Sequence, residues 1–232
     1  MQASTGVPKL LYFPLHGRAC KIRLLLKHAG IEFVDEQPGQ GDWKSWPELK
    51  TEFPDRGGVP WVDMGDGKVL NQSDAILKAF AQQAGYKSSD PWVNFETEWV
   101  FETMADFAKS DGAMTPFFKQ AFGGTEAPTE EECKKSLDAI TGLLNKLESR
   151  FSANGGRNYS AGDTISASDF SLLAFEVGMY GNPSSKCPEH CANVKAAVDK
   201  CPTVKGIIER VKGEKGLAAY ITEMQEKYKS AI

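Results

Sequence analysis

The chain has 232 residues, 41% of them hydrophobic and 25% charged, with 27 Lys and Arg against 31 Asp and Glu for a formal charge of −4. That length suits one large or two modest globular units, and two is the working expectation. No apolar run approaches the roughly 20 residues of a membrane helix. The basic residues are dispersed among acids, which argues against a nucleic-acid partner.

Met1 to Pro8 carries neither the basic n-region nor the apolar h-region of a secretory signal. Five cysteines, at positions 20, 133, 187, 191 and 201, form an odd and scattered set, unlike a disulfide framework. A reducing, cytoplasmic setting is the expectation.

In chain order, Lys9 to Phe13 reads as a strand, and Arg18 to Ala29 as a helix with Ile22, Leu25, Leu26 and Ala29 on one face and Gly30 as its stop. Ile31 to Val34 is a short second strand. Pro38 to Gly58 mixes Gly, Pro, Trp and charge without a period, which predicts a long loop with one helical turn around Trp46 to Lys50. Val59 to Met64 and Lys68 to Leu70 predict a hairpin turned by Gly65-Asp66-Gly67. Ser73 is placed to cap a helix running through Ile76, Leu77 and Phe80 to Gly85. The resulting β-α-β-α-β-β-α order within residues 1–85 predicts a thioredoxin-like domain.

Residues 86–91 read as a polar linker. From 92 to 232 the period stays helical, which predicts an α/β domain followed by an all-α one. The clearest helix starts at Thr129 with three acids in its first turn and runs Cys133, Leu137, Ile140, Leu144, Leu147 and Phe151 along one stripe. Ser166 and Asp169 have capping-box spacing, and Ile165 and Phe170 that of a hydrophobic staple. Cys201-Pro202 opens a later helix through Val204, Ile207, Ile208 and Val211, before Gly213 and Gly216 break the period.

Several stretches then carry a resemblance along nearly the whole chain. Leu11-Tyr-Phe-Pro-Leu-His-Gly-Arg-Ala19, Trp46-Pro-Glu-Leu-Lys50, Gly58-Val-Pro60, Asn71-Gln-Ser-Asp-Ala-Ile76 and Asp163 to Phe170 together resemble the cytosolic glutathione S-transferases of the tyrosine type. Tyr12-Phe13 with the Trp-Pro-x-Leu-Lys string resembles the sigma class. The resemblance implies a homodimeric enzyme that joins the sulfur of glutathione, a co-substrate and not a bound cofactor, to hydrophobic electrophiles. It also leaves open isomerisation of a lipid endoperoxide, as some sigma relatives perform. Residues 1–85 would hold glutathione and residues 92–232 would complete the electrophile pocket, with no metal required.

The chemistry asks for stabilisation of a thiolate. A thiol with pKa about 8.5 is only roughly 3% ionised at pH 7, and lowering that pKa by two units takes about 2.7 kcal/mol. One hydrogen bond to a charged partner supplies about 1.5–3 kcal/mol, and a helix N-terminus about 0.3–1 kcal/mol. Tyr12 is therefore assigned as hydrogen-bond donor to the sulfur, and Arg18 as a positive charge near the same anion. Val59 before Pro60, in a cis turn, would pair its backbone with the cysteinyl unit. Gln72 and Ser73 stand at a helix start that favours the γ-glutamyl carboxylate. By resemblance, Trp46 and Lys50 meet the glycyl end, with a solvated surface lysine as the alternative for Lys50, and Asp106 reaches the α-amino group of glutathione across a two-fold dimer. Phe13 and Leu15 are candidates for the electrophile pocket, core packing being the alternative.

Some features depart from the family pattern. Gly58 stands where many relatives carry a side chain, the stretch from Phe53 to Gly58 is one residue longer than a sigma-like spacing, and Phe53 is the one candidate for an aromatic dimer lock. Cys20 follows a strand end, but without a Cys-x-x-Cys. Cys187, His190 and Cys191 make a partial metal set with only Cys201 at hand as a fourth ligand, and loop thiols are the plainer reading. His16 has no assigned role. A non-catalytic, crystallin-like or ligand-carrying member of the same family is the alternative function.

Overall fold

The computed structural model describes residues 6–37, 46–51, 57–121, 126–153 and 157–228. Phe53 lies outside them, as does the side chain of Trp46.

The N-terminal half is built around a four-stranded sheet of order β2-β1-β3-β4. Its strands are β1 (Lys9–Leu11), β2 (Val34–Glu36), β3 (Trp61–Asp63) and β4 (Val69–Asn71). β2 runs parallel to β1, whereas β3 pairs antiparallel with β1 and β4 with β3. Between the strands lie α1 (Cys20–His28) and α2 (Trp46–Thr51), and α3 (Ser73–Gln83) follows β4. The thioredoxin-like order expected from the sequence is present.

The first strand ends at Leu11 instead of Phe13 and the hairpin strands are Trp61–Asp63 and Val69–Asn71 instead of Val59 to Met64 and Lys68 to Leu70, and three further boundaries moved for local reasons. The first helix opens as a 3-10 turn, Gly17–Ala19, before α1 proper. The second strand falls at Val34–Glu36 instead of Ile31 to Val34, because Gly30 (φ 66°) and the bond from Ile31 N–H to the Leu26 carbonyl at 2.9 Å use residues 30–33 to turn the chain back. Ser73, expected as the cap of α3, is its first residue; Gln72 is the N-cap, with φ 66° and no side-chain cap bond.

Among the described residues of the second half the elements are all helical: α4 (Pro91–Lys109), α5 (Thr115–Ala121), α6 (Glu130–Ala153), α7 (Ala167–Phe175) continued by a π-helical turn (Glu176–Tyr180), α8 (Pro188–Val198), α9 (Pro202–Lys212) and α10 (Leu217–Lys227). None of the described helices is long and apolar enough to cross a membrane. Thr129 and Glu132 close a reciprocal box at the start of α6, with bonds of 2.8 and 3.2 Å. Ile140, Leu144, Leu147 and Phe151 are buried along its stripe, while Cys133 and Leu137 at its beginning are only partly covered.

The two halves share a core, for α1 packs on α3, α7 and α10. This explains why Cys20, Ile22, Arg23 and Leu24–Leu26 are all buried, a wider face than a single helical stripe. The α7 start is equally enclosed: the capping box of Ser166 and Asp169 is formed, and Asp169 is 0% exposed. One Asp169 oxygen accepts the Ser160 N–H at 2.8 Å, the other the Ser166 N–H at 2.7 Å and the Ser166 hydroxyl at 2.8 Å. Asp169→Ala orphans two buried backbone donors and should cost roughly 2–4 kcal/mol in urea unfolding; a loss under about 0.5 kcal/mol would contradict this view of the helix start.

Candidate active site

The sheet register assembles the site before any side chain is considered. Trp61 opposes Leu11 on one side and Asn71 on the other, and Leu11 also opposes Glu36. Tyr12, Pro60 and Gln72, each one residue beyond that row, therefore meet at one end of the sheet. It is the carboxyl end of β1, where the chain departs to β2 on one side and β3 pairs on the other, a position at which ligands bind in open α/β sheets.

Tyr12 is held at both ends. Its N–H donates to the Glu36 carbonyl at 3.0 Å, and its phenolic oxygen accepts the Arg18 N–H at 3.1 Å. Gly17 makes that contact sterically possible: its φ is +38°, and a Cβ there would lie 2.5 Å from the phenolic oxygen. Burial raises the Tyr12 pKa, outweighing the Arg18 N–H bond and the charges of Arg18 and Arg23 that act against it. The phenol thus keeps its proton at neutral pH, and among the described residues that proton has no acceptor. It is a donor with its donation still to make.

The other flank is the start of α3. Gln72, in the left-handed region rarely adopted by non-glycine residues, leaves the N–H groups of the first turn without a side-chain cap. Asp74 in that turn pairs with Lys21 of α1, tying the two helix starts together. Val59-Pro60 is a cis peptide, and among the described residues the Val59 N–H and C=O have no hydrogen-bond partner.

The remaining expected residues scatter. Arg18 is exposed in the 3-10 turn, Phe13 is partly buried with its ring 5.6 Å from that of Tyr12, and Leu15 is buried in the core. Lys50 on α2 and Asp106 on α4 are exposed, and no contact among the described residues brings either to Tyr12. Cys20 is fully buried and its thiol is pushed up to about 12, mainly by burial, which leaves no reactive thiolate in α1. Among the described residues no three His, Cys, Asp or Glu side chains are grouped to hold a metal ion.

Sequence reasoning missed what holds the Tyr12 loop. Arg23 of α1 is 0% exposed. Its guanidinium donates to the Leu15 carbonyl at 2.8 Å and the Phe13 carbonyl at 3.5 Å, and forks onto Asp35 of β2 at 3.1 Å. It also lies 4.4 Å from the ring centroid of Tyr228 and 5.7 Å from that of Tyr12. The Tyr228 hydroxyl donates to Asp35, so the last described residue of the chain closes over the loop that follows the first strand. A signal existed, since Arg23 interrupts the otherwise apolar Ile22 and Leu24-Leu25-Leu26. Nothing local pointed to Tyr228.

His16 completes this neighbourhood. It is 0% exposed, neither ring nitrogen has a partner among the described residues, and its ring sits edge-on to Tyr228 at 5.7 Å. Burial, with help from the Arg23 charge, lowers its pKa to about 4, so the imidazole is neutral.

A thioredoxin-like domain with a buried tyrosine at the end of β1 is joined here to a helical domain, and comparison with known proteins identifies that combination. The family model described as "Glutathione S-transferase, N-terminal domain" matches residues 8–79, and that of the C-terminal domain matches residues 112–224. Glutathione S-transferase 1 of Ascaris suum is 30% identical over 162 residues, 69% of this chain and 74% of the relative. Hematopoietic prostaglandin D synthase of Gallus gallus is 27% identical over 229 residues, 97% of this chain and 98% of that one. The crystal structure of the Ascaris lumbricoides glutathione S-transferase superposes with a TM-score of 0.73 at 25% identity, covering 94% of this chain and 98% of its own. The chain belongs to the glutathione S-transferase family, and it is a glutathione transferase.

The buried imidazole gives a pH dependence with a definite sign. Unfolded histidine titrates near 6.5 and the folded one near about 4, so below pH 6.5 the unfolded chain binds more protons and stability falls as pH drops toward 4. Between pH 7.5 and pH 5 the wild type should lose roughly 2 kcal/mol more than His16→Leu in urea unfolding. Parallel profiles would show that His16 is not held neutral.

Proposed function

We propose that this glutathione transferase conjugates the thiolate of reduced glutathione to hydrophobic electrophiles, as a cytoplasmic homodimer, by a tyrosine-type mechanism in which glutathione is a co-substrate. The observation that supports this reading most is the state of Tyr12: its oxygen accepts the Arg18 N–H, and its own proton has no acceptor among the described residues. A phenol so arranged donates to an anion placed beyond it. A bond of that charge-assisted kind is worth about 1.5–3 kcal/mol, the magnitude needed to bring a thiol pKa of about 8.5 down by one to two units.

The rest of the tripeptide is accommodated around that bond. The Val59 backbone beside Pro60, without a partner among the described residues, takes the cysteinyl unit as an added strand. Gln72 and Ser73, at the uncapped start of α3, take the γ-glutamyl carboxylate, where N–H groups and the helix dipole favour negative charge. Trp46 and Lys50 on α2 meet the glycyl end, and the exposed Asp106 on α4 meets the α-amino group of glutathione in the partner subunit. Arg18 adds its charge near the sulfur, and Phe13 and Leu15 line the near wall of the electrophile pocket. A second reading, isomerisation of a lipid endoperoxide, draws support from the near full-length likeness to a protein named hematopoietic prostaglandin D synthase. It uses the same thiolate. A purely structural role leaves the tyrosine and the uncapped helix start unexplained.

Turnover of glutathione with a chloro-nitroaromatic acceptor tests the enzyme directly. Tyr12→Phe should lower kcat/KM roughly 10- to 100-fold while the glutathione Kd stays within about twofold. Undiminished kcat/KM would remove Tyr12 from the chemistry. Asp106→Ala should raise the glutathione Kd at least about fivefold, equivalent to roughly 1 kcal/mol, with an unchanged unfolding midpoint. An unaltered Kd would remove the cross-subunit contact.

A further inference from the structure

Outside the glutathione site, two thiols share one hydroxyl. Cys187 is the N-cap of α8 and Cys191 lies one turn further on; both are free and almost covered, at 8% and 6% exposed. The Ser185 hydroxyl lies 3.3 Å from the Cys187 sulfur and accepts the Cys191 S–H at 3.2 Å. A hydroxyl that accepts from one sulfur turns its own proton to the other, so the chain Cys191 S–H, Ser185 O–H, Cys187 sulfur favours a thiolate at the first cysteine and a thiol at the second. Ser185 is itself fixed, by the Cys187 N–H at 3.3 Å and by its own N–H on the Asn182 carbonyl at 3.1 Å. Cys187 stands at the start of an 11-residue helix, where the dipole adds to the effect.

We propose that Cys187 and Cys191 form a reversible dithiol–disulfide site oxidised by hydroperoxides, with Cys187 as the attacking sulfur and Cys191 as the resolving one. In the first step the Cys187 thiolate attacks the terminal peroxide oxygen. An S–O bond forms, the O–O bond breaks, and the departing alkoxide takes a proton from water to leave as the alcohol. In the second, the Cys191 sulfur attacks the sulfenic acid. The S–S bond forms as the S–O bond breaks, and hydroxide leaves with the Cys191 proton as water. The two sulfurs together lose two electrons and the peroxide gains them. Two molecules of glutathione, the family's own co-substrate, return the pair to thiols and leave as glutathione disulfide.

Geometry allows the closure at small cost. Side chains four apart on a helix have Cβ atoms about 5–6 Å apart, against about 3.5–4.5 Å in a disulfide. The missing 1–2 Å falls on Cys187, which has φ −122° and ψ 60° outside the helical region and can rotate with little change to the helix behind it. The electrostatics agree: the neighbouring Cys191 thiol, aided by the Ser185 hydroxyl, brings Cys187 down to about 6 against the opposing effect of burial, while Cys187 and burial push Cys191 up. The other cysteines are poor competitors, since burial raises Cys20, Cys133 and Cys201.

The test uses the folded full chain and hydrogen peroxide, followed by alkylation and peptide mapping. The expected first product is a linked Cys187–Cys191 peptide, with two thiols lost per chain and both restored by glutathione. Cys191→Ser should stop at a sulfenic acid on Cys187 that dimedone captures, and Ser185→Ala should slow oxidation several-fold. First oxidation at Cys133 or Cys201, survival of all five thiols, or passage of Cys187 to sulfinic acid while Cys191 stays free would each overturn the proposal. The wild-type map decides the matter even if a variant fails to fold.

Discussion

A single buried charge organises the end of the sheet at which Tyr12 lies. Arg23 has no solvent exposure, so its charge must be met inside the protein, and the partners that meet it are the loop carbonyls of Phe13 and Leu15 and the carboxylate of Asp35. Removing one partner from a buried ion pair typically costs about 3–5 kcal/mol, far more than an exposed pair is worth. The loop that follows Tyr12 is therefore fixed by an electrostatic requirement as well as by packing. Asp35 belongs to β2, which draws the sheet edge into the same network, and Tyr228 covers the guanidinium from the far end of the chain.

From that node the active-site geometry follows in short steps. The fixed loop carries Gly17 and Arg18 beneath the Tyr12 ring, and the absence of a Cβ at Gly17 leaves room for the Arg18 N–H to reach the phenolic oxygen. Among the described residues the oxygen is satisfied and the proton is not. Across the end of the sheet, Gln72 holds a strained backbone that keeps the first turn of α3 open to an anion. In the proposed reading, a donor on one side and a helix start on the other mark where a negatively charged thiol peptide sits.

Local signals carried much of this into the sequence, and non-local ones did not. Val59-Pro60, the Gly65 to Gly67 turn and the Ser166 to Asp169 box each fix the backbone within a few residues, and each appears in the structure at its expected place. The second strand was misplaced because the alternation of Ile31 to Val34 says nothing of the turn needed to lay a parallel strand beside β1. Ser73 resembles a cap by composition, yet the sheet end delivers Gln72 to that position. Arg23, Asp35 and Tyr228 went unread as a unit because no spacing rule connects residues as many as 205 positions apart, Tyr228 lying that far beyond Arg23. His16 presented the converse difficulty: its residue type suggests chemistry, whereas complete burial with no partner among the described residues keeps it neutral.

Whether the Tyr12 proton stabilises a bound sulfur anion is read by an ultraviolet difference titration of thiolate absorbance with glutathione bound to the intact protein. The bound thiol should titrate one to two units below the free value of about 8.5. A bound thiol that titrates at its free value would contradict that role for Tyr12.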